Sequence, residues 1–148
     1  MNAKTSLKIH IGLANESDLF MIYLIEIENF GFDFSRRYMI ENGYNHKTKT
    51  TKCYVYRVKG LTIGYILFNY YKNSEILMLG VKSEFKHQGI GTKLLNKVKQ
   101  YSDNITLEVR KSNTLAISFY EKNSFILYKV IANYYVDEDG LYYIWKKN

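Results

Sequence analysis

Leu77-Met78-Leu79-Gly80-Val81-Lys82-Ser83-Glu84-Phe85-Lys86-His87-Gln88-Gly89-Ile90-Gly91-Thr92-Lys93-Leu94-Leu95 is the stretch on which the fold turns. An apolar run of strand length ends at Val81, a glycine loop follows, and Leu94, Leu95, Val98 and Tyr101 then recur at helical intervals. Strand, glycine loop and helix in this order aim several backbone N–H groups and the positive end of the helix dipole at one spot beyond the strand, where a phosphate fits. Glycine lets the backbone approach such a group without a Cβ in the way. Read alone, Gly89-Ile90-Gly91 also fits a plain tight turn. The loop lacks the third glycine of a dinucleotide fingerprint and the Gly-Lys-Ser/Thr of a P-loop, which argues against NAD and ATP.

Downstream, Ile105 to Arg110 alternates apolar and polar as a half-buried strand does and runs through Ser112-Asn113 into a helix from Thr114 to Lys122. Leu115, Ala116, Phe119 and Tyr120 make that helix's apolar side. Upstream, Tyr54 to Val58, Thr62 to Tyr70 and Glu75 to Val81 are rich in aromatic and branched residues, and their short polar separators predict an antiparallel meander. Before them, Leu7, Ile9 and Ile11 alternate as a first strand. Asn15 or Ser17 caps a first helix ending near Asn29, in which Glu16 and Asp18 favour the positive end. A turn through Phe30, Gly31, Phe32 and Asp33 leads to a short helix from Phe34 to Glu41, with Asn42-Gly43 as its C-cap.

The chain's 148 residues, 47% of them apolar, match one ordinary domain, expected to span 1–148. No export-length apolar segment opens the chain and no run approaches the roughly 20 residues of a membrane span, so a cytoplasmic protein without a membrane partner is expected. The single cysteine, Cys53, excludes an internal disulfide, has no neighbours at metal-ligand spacing, and reads as a buried strand residue. No metal site is predicted. The net charge of +7 favours acidic partners without choosing among nucleic acid, membrane and polyphosphate. Lys47, Lys49 and Lys52 cluster before one strand, while Lys82, Lys86, Lys93, Lys97 and Lys99 surround the glycine loop.

Lys86 to Leu95, Leu107 to Asn113 and Ala116 to Phe125 together resemble the core of the GNAT acetyltransferase superfamily. Leu107-Glu108-Val109-Arg110, Ser112-Asn113, Ala116 to Glu121 and Asn133-Tyr134-Tyr135 follow one another as in its RimI-like ribosomal protein N-acetyltransferases and their archaeal N-terminal acetyltransferase relatives. The resemblance is strong from Leu77 to Tyr135; before that it rests on element order. It implies a mixed α/β (α+β) GNAT fold: a mostly antiparallel sheet of six to seven strands, splayed between strands 4 and 5 and flanked by four helices. It also implies acetyl-CoA as cosubstrate. Backbone groups of Leu79, Gly80 and Val81 would meet the pantetheine amides, and Lys86, His87, Gln88, Gly89, Ile90, Gly91 and Thr92 would hold the pyrophosphate. Asn113 would cap its helix and reach the cofactor; a cap alone reads equally well.

Within that resemblance Glu108, which alternation turns away from Leu107 and Val109, is the general base, and Tyr120 protonates the leaving thiolate. Phe30, Phe32 and Asp33 in one loop, and Tyr134 and Tyr135 in a second loop from Ala132 to Asp139, would select the acceptor. Asp137, Glu138 and Asp139 are further candidates for attracting an ammonium group. The implied acceptor is the N-terminal α-amine of a protein or peptide, including a ribosomal protein, with no direct nucleic-acid contact. A small-molecule amine or lysine acetyltransferase, or a non-enzymatic module binding RNA or the ribosome, are the alternatives. Three departures from the family pattern stand out. Lys86 replaces Gln or Arg, Asn123-Ser124 replaces a glycine with Asn expected to take the left-handed turn, and the first loop lacks a Pro-Trp. His10, His46 and His87 read as surface residues.

Overall fold

The computed structural model describes residues 8–31, 33–44 and 50–148, the side chain of Phe34 excepted; Leu7, Phe32, His46, Lys47 and Lys49 lie outside them. Seven strands make one sheet: β1 (Ile9–Leu13), β2 (Thr51–Val58), β3 (Leu61–Tyr70), β4 (Ser74–Val81), β5 (Asn104–Arg110), β6 (Ile126–Tyr135) and β7 (Glu138–Lys146). They lie in the order β1-β2-β3-β4-β5-β7-β6. All neighbours are antiparallel except β4 and β5, whose parallel relation requires the crossover that α3 (Ile90–Lys99) supplies. The other helices are α1 (Leu19–Phe30), α2 (Phe34–Gly43) and α4 (Thr114–Lys122). No helix among the described residues is long and apolar enough to cross a membrane.

Strand alternation divides the core between the two faces of the sheet. On one face α3 buries Leu94, Leu95 and Val98 against Ile66, Phe68, Ile105 and Leu107, and α4 adds Tyr120. On the other, Ile22 and Ile25 of α1 and Ile40 of α2 pack on Val55, Tyr65, Leu67 and Met78. Cys53 belongs to this second layer, where burial, followed by the charge of Asp18, pushes its thiol up to about 12.

Four details differ from the sequence expectation. Gly43 lies inside α2, and a Cβ there would collide with Leu67 Cδ1, so close helix–sheet packing, rather than a C-cap turn, accounts for the glycine. In the turn after α4 the left-handed residue is Ser124 (φ 71°), not Asn123, whose side-chain amide instead donates to Phe119 O at 2.9 Å. Ala132 to Tyr135 continue β6 as an edge strand and do not form a loop; the turn to β7 is only Val136-Asp137. Asp18 is buried instead of merely facing a helix end. It accepts from Arg57 Nε at 2.9 Å, Arg57 Nη2 at 2.5 Å, Thr62 Oγ1 at 2.5 Å and the Asn15 amide at 2.8 Å.

This network ties the entry of α1 to β2 and β3. Burial alone would raise the Asp18 carboxyl, but the bonds from Arg57, Thr62 and Asn15 outweigh it and hold the carboxyl below the usual range. Removing the charge leaves Arg57 enclosed without its counter-ion, so Asp18→Asn is expected to cost about 3 kcal/mol in denaturant unfolding at pH 7. Because the folded carboxyl titrates below its unfolded value, the contribution is complete above the ordinary aspartate range and is lost as pH falls through the depressed value. The gap between wild type and variant should therefore close in acid; a gap unchanged from pH 7 to pH 2 would remove the ionic explanation.

Candidate active site

β4 and β5 pair at two steps, Ser74 with Ile105 and Glu75 with Thr106, and then part. The cause lies within β4: Leu67 of β3 faces Met78 while Phe68 faces Ile76, leaving Leu77 as an extra residue that bends the strand. Beyond it, Lys82 donates to Ile63 O at 2.8 Å. By the alternation of an antiparallel ladder, Gly80 therefore directs its backbone groups to β3, and Leu79 and Val81 direct theirs to the opening. Asn29 Nδ2 donates to Val81 O at 3.1 Å and to Ile25 O at 2.8 Å, closing the α1 side of the gap. A Cβ on Gly80 would meet Tyr65 at 2.8 Å and Ile25 at 3.0 Å, so this glycine lets α1 and the Tyr65 ring lie directly against β4.

The glycine loop stands at the end of the opening. His87 (φ 64°) and Gly89 (φ 82°) are left-handed, which curls the loop and turns its amides inward. The first bond of α3 runs from the Lys93 amide to Gly89 O at 3.0 Å, so the amides of Ile90, Gly91 and Thr92 have no partner within the helix. A Cβ on Gly89 would meet nothing within 4 Å, and the open space beside these amides suits a phosphate group. Gly91 serves packing instead, since a Cβ there would stand 3.0 Å from the Phe119 ring, which holds α4 against the first turn of α3. Lys86, His87 and Gln88 surround the loop, His87 and Gln88 exposed. Asn113 caps α4 by accepting from the Ala116 amide at 3.2 Å.

Glu108 and Tyr120 lie on opposite faces of the sheet. Leu107 and Val109 enter the layer under α3 and α4, and Glu108 faces the other way. Its carboxyl is raised above the usual range, first by burial and then by the charge of Glu75, with Lys129 working in the opposite sense. Tyr120 is 8% exposed, edge-on to Phe119 and Phe125, and burial lifts its hydroxyl well above the ordinary tyrosine value. It therefore keeps its proton at neutral pH.

Among the candidate acceptor residues, Phe30 and Asp33 stand at the α1–α2 junction, while Tyr134 and Tyr135 at the end of β6 feel the charge of Glu108. Tyr134 packs on Gly140, where a Cβ would lie 2.8 Å from its own, and Tyr135 lies under the Arg110 guanidinium at 4.3 Å from its ring centroid. Burial comes first among the causes that raise both hydroxyls, and the Glu108 charge contributes to each. Phe30 lies under the Arg36 guanidinium at 4.2 Å. The loop carboxylates have structural partners. Asp33 caps α2, Asp137 and Glu138 hold Arg110 at 2.7 and 3.1 Å, and Asp139 accepts from the Asn133 amide. Sequence reading overlooks Glu26, a buried carboxylate gripped by Arg36 through Nε at 2.6 Å and Nη2 at 3.0 Å. The available signal is its position one turn after Ile22 on the apolar stripe of α1.

The raised Glu108 carboxyl has a consequence for stability. A folded value above the unfolded one lowers stability as pH rises from below the ordinary glutamate range through the raised value. Glu108→Gln is thus expected to be at least as stable as wild type at pH 7, with the difference vanishing in acid, below the ordinary glutamate range, on denaturant titration. A marked loss of stability at pH 7 would make Glu108 a structural residue.

Comparison with known proteins agrees with this geometry. An N-acetyltransferase of uncharacterized role from Methanocaldococcus jannaschii is 40% identical over 102 residues, covering 64% of this chain and 65% of that protein. The chain thus spans just under two thirds of that relative's length. An N-alpha-acetyltransferase from Sulfolobus acidocaldarius is 29% identical over 164 aligned positions, covering 95% and 94%. The crystal structure of Ard1 from Thermoplasma volcanium superposes with a TM-score of 0.80 at 24% identity, over 95% of this chain and 98% of that one, which establishes likeness of fold. Residues 19–125, from α1 to the end of the turn after α4, match the family model described as Acetyltransferase (GNAT) family, and the chain belongs to that family.

Proposed function

We propose that the protein transfers the acetyl group of acetyl-CoA to the N-terminal α-amine of a protein or peptide. The observation that carries the reading is the parting of β4 from β5, with the glycine loop at its end and Glu108 and Tyr120 on opposite faces of the sheet. The Sulfolobus relative, named an N-alpha-acetyltransferase and aligned over 95% of this chain, supports the same acceptor class. In this reading the amides of Ile90, Gly91 and Thr92, with Lys86, His87, Gln88 and Gly89 around them, hold the pyrophosphate. The backbone groups of Leu79 and the amide of Val81, whose carbonyl is held by Asn29, take the pantetheine amides, with Gly80 giving the strand its close seat, and Asn113 closes the cofactor end. Phe30, Asp33, Tyr134 and Tyr135 frame the acceptor.

The thioester of acetyl-CoA supplies an activated acetyl carbon; the protein supplies proton transfer and position. An N-terminal amine has an ordinary pKa of about 8 and must lose a proton before it attacks. Glu108 accepts that proton, and its raised carboxyl brings it nearer the amine's own value, where a general base is most effective. The N–C bond forms, the C–S bond breaks, Tyr120 delivers its retained proton to the departing sulfur, and the proton shed by the acylated nitrogen returns through solvent to the Tyr120 oxygen. Edge-on packing against Phe119 and Phe125 restricts the Tyr120 ring.

Three variants separate the roles. Glu108→Gln should lower kcat by about 10²- to 10⁴-fold with little change in acetyl-CoA affinity. Gly89→Asp, which puts a carboxylate where the phosphate belongs, should abolish acetyl-CoA binding in calorimetry; equal loss of binding in both variants would refute the division of labour. Tyr120→Phe should slow turnover while unfolding like wild type. The acceptor class is tested by CoA release with a panel of peptides of differing N-termini, spermidine, and an N-terminally blocked lysine peptide. Turnover restricted to free N-termini is expected, and turnover with spermidine or the blocked lysine peptide alone would overturn the α-amine assignment.

A further inference from the structure

The chain carries a net charge of +7, yet the acceptor end of its opening is acidic. Glu75 stands opposite Thr106 at the last paired step before β4 and β5 part, and Glu108 follows two residues later on β5. Both carboxylates are on the α1/α2 face. Ile76, next to Glu75, enters the opposite core layer, just as Leu107 and Val109 do beside Glu108. Both are half-buried. The nearby guanidinium groups are committed elsewhere, Arg36 to Glu26 and Arg110 to Asp137 and Glu138. Among the described residues neither Glu75 nor Glu108 has an ion-pair partner within 4 Å.

Lys129 acts on Glu108 from a distance. The register runs from Glu108 to Tyr142 to Lys129 across β5, β7 and β6, and the Lys129 ammonium lies 5.4 Å from the Tyr142 ring centroid. Tyr134 feels the charges of Glu108 and Glu75 together. An acceptor peptide entering beside Tyr134 and Tyr135 therefore meets two carboxylates with one distant lysine to offset them.

From this arrangement we propose that Glu75 is a specificity residue, selecting N-termini with a positive charge in the residues just behind the reacting amine and rejecting those with Asp or Glu there. The inference rests on the peptide N-terminal reading given above. Glu108 is committed to the proton of the amine itself, leaving Glu75 as the fixed negative charge that the following side chains encounter. Enclosure between the strands concentrates its field, and like charge there is repelled.

The test is kcat/KM for three peptides of one common tail, Ala-Lys, Ala-Gln and Ala-Glu at the N-terminus, with wild type, Glu75→Gln and Glu75→Lys at low and at about 0.5 M salt. Wild type should favour the lysine over the glutamate peptide by about tenfold at low salt, chiefly through KM, and the ratio should shrink in salt. Glu75→Gln should bring the ratio close to one and Glu75→Lys should invert it. Acetyl-CoA affinity, measured alongside, reports that each variant retains its fold. An equal lysine-to-glutamate ratio in wild type and both variants, with all three turning over peptides, overturns the role of Glu75 and leaves the proposed activity standing. Wild type that acetylates none of the peptides overturns the activity itself and this inference with it.

Discussion

The parting of two parallel neighbours in the middle of a sheet is the constraint on which the molecule depends. A central strand normally satisfies its backbone on both sides, and an unpaired edge buried there is costly. β4 tolerates the gap because Leu77 is squeezed out of register with β3, turning the strand away from β5 after Glu75. The surroundings then hold the gap open at fixed width. Asn29 reaches from α1 to the Val81 carbonyl, Gly80 seats the strand on Tyr65 and Ile25, and Phe119 pins α4 to Gly91. Two glycines and one asparagine thus convert a sheet defect into a slot whose backbone groups wait for a partner.

The slot connects two layers of unlike electrostatic character. On the α3 side, from Lys86 through Ser102, there is no acidic residue, and Lys93 and Lys97 lie over Tyr56 and Tyr54 at 5.9 and 5.6 Å from their ring centroids. On the α1/α2 side Glu75 and Glu108 stand where β4 and β5 part. A polyphosphate-bearing cosubstrate and an ammonium-bearing acceptor would each arrive from the layer of opposite charge. One chain of high net charge accommodates both because the sheet keeps the two fields apart.

Much of this is legible in the sequence, and the limits have physical causes. The direction of Glu108 follows from the alternation Leu107-Glu108-Val109, since a half-buried strand writes its two faces into every second residue. α3 and α4 follow from 3.6-residue spacing and their flanking caps. The bulge at Leu77 is invisible because Ile76-Leu77-Met78-Leu79 is apolar throughout, so an extra residue leaves no break in the pattern. The last residues of β6 read as a loop because an edge strand exposed along most of its length has no alternation to follow. Asp18 and Arg57 are 39 residues apart, and their pairing depends on β1, β2 and α1 being assembled. Glu75 escapes notice for a related reason. A single acid at the start of a strand looks solvated until a parallel neighbour, distant in sequence, sets Glu108 beside it.

That same juxtaposition bears on how Glu108 is tuned. Two carboxylates on one face of adjacent strands cannot both ionise as readily as either alone, so Glu75 shifts Glu108 in the direction that burial already pushes it. Lys129 opposes the shift from across Tyr142, at a range where its influence is weak but persistent. The proton affinity of Glu108 is therefore set first by burial and then by strand register, through residues fixed on β4 and β6. In the proposed reading Glu75 couples the two roles, because it faces both Glu108 and the side from which the peptide would enter.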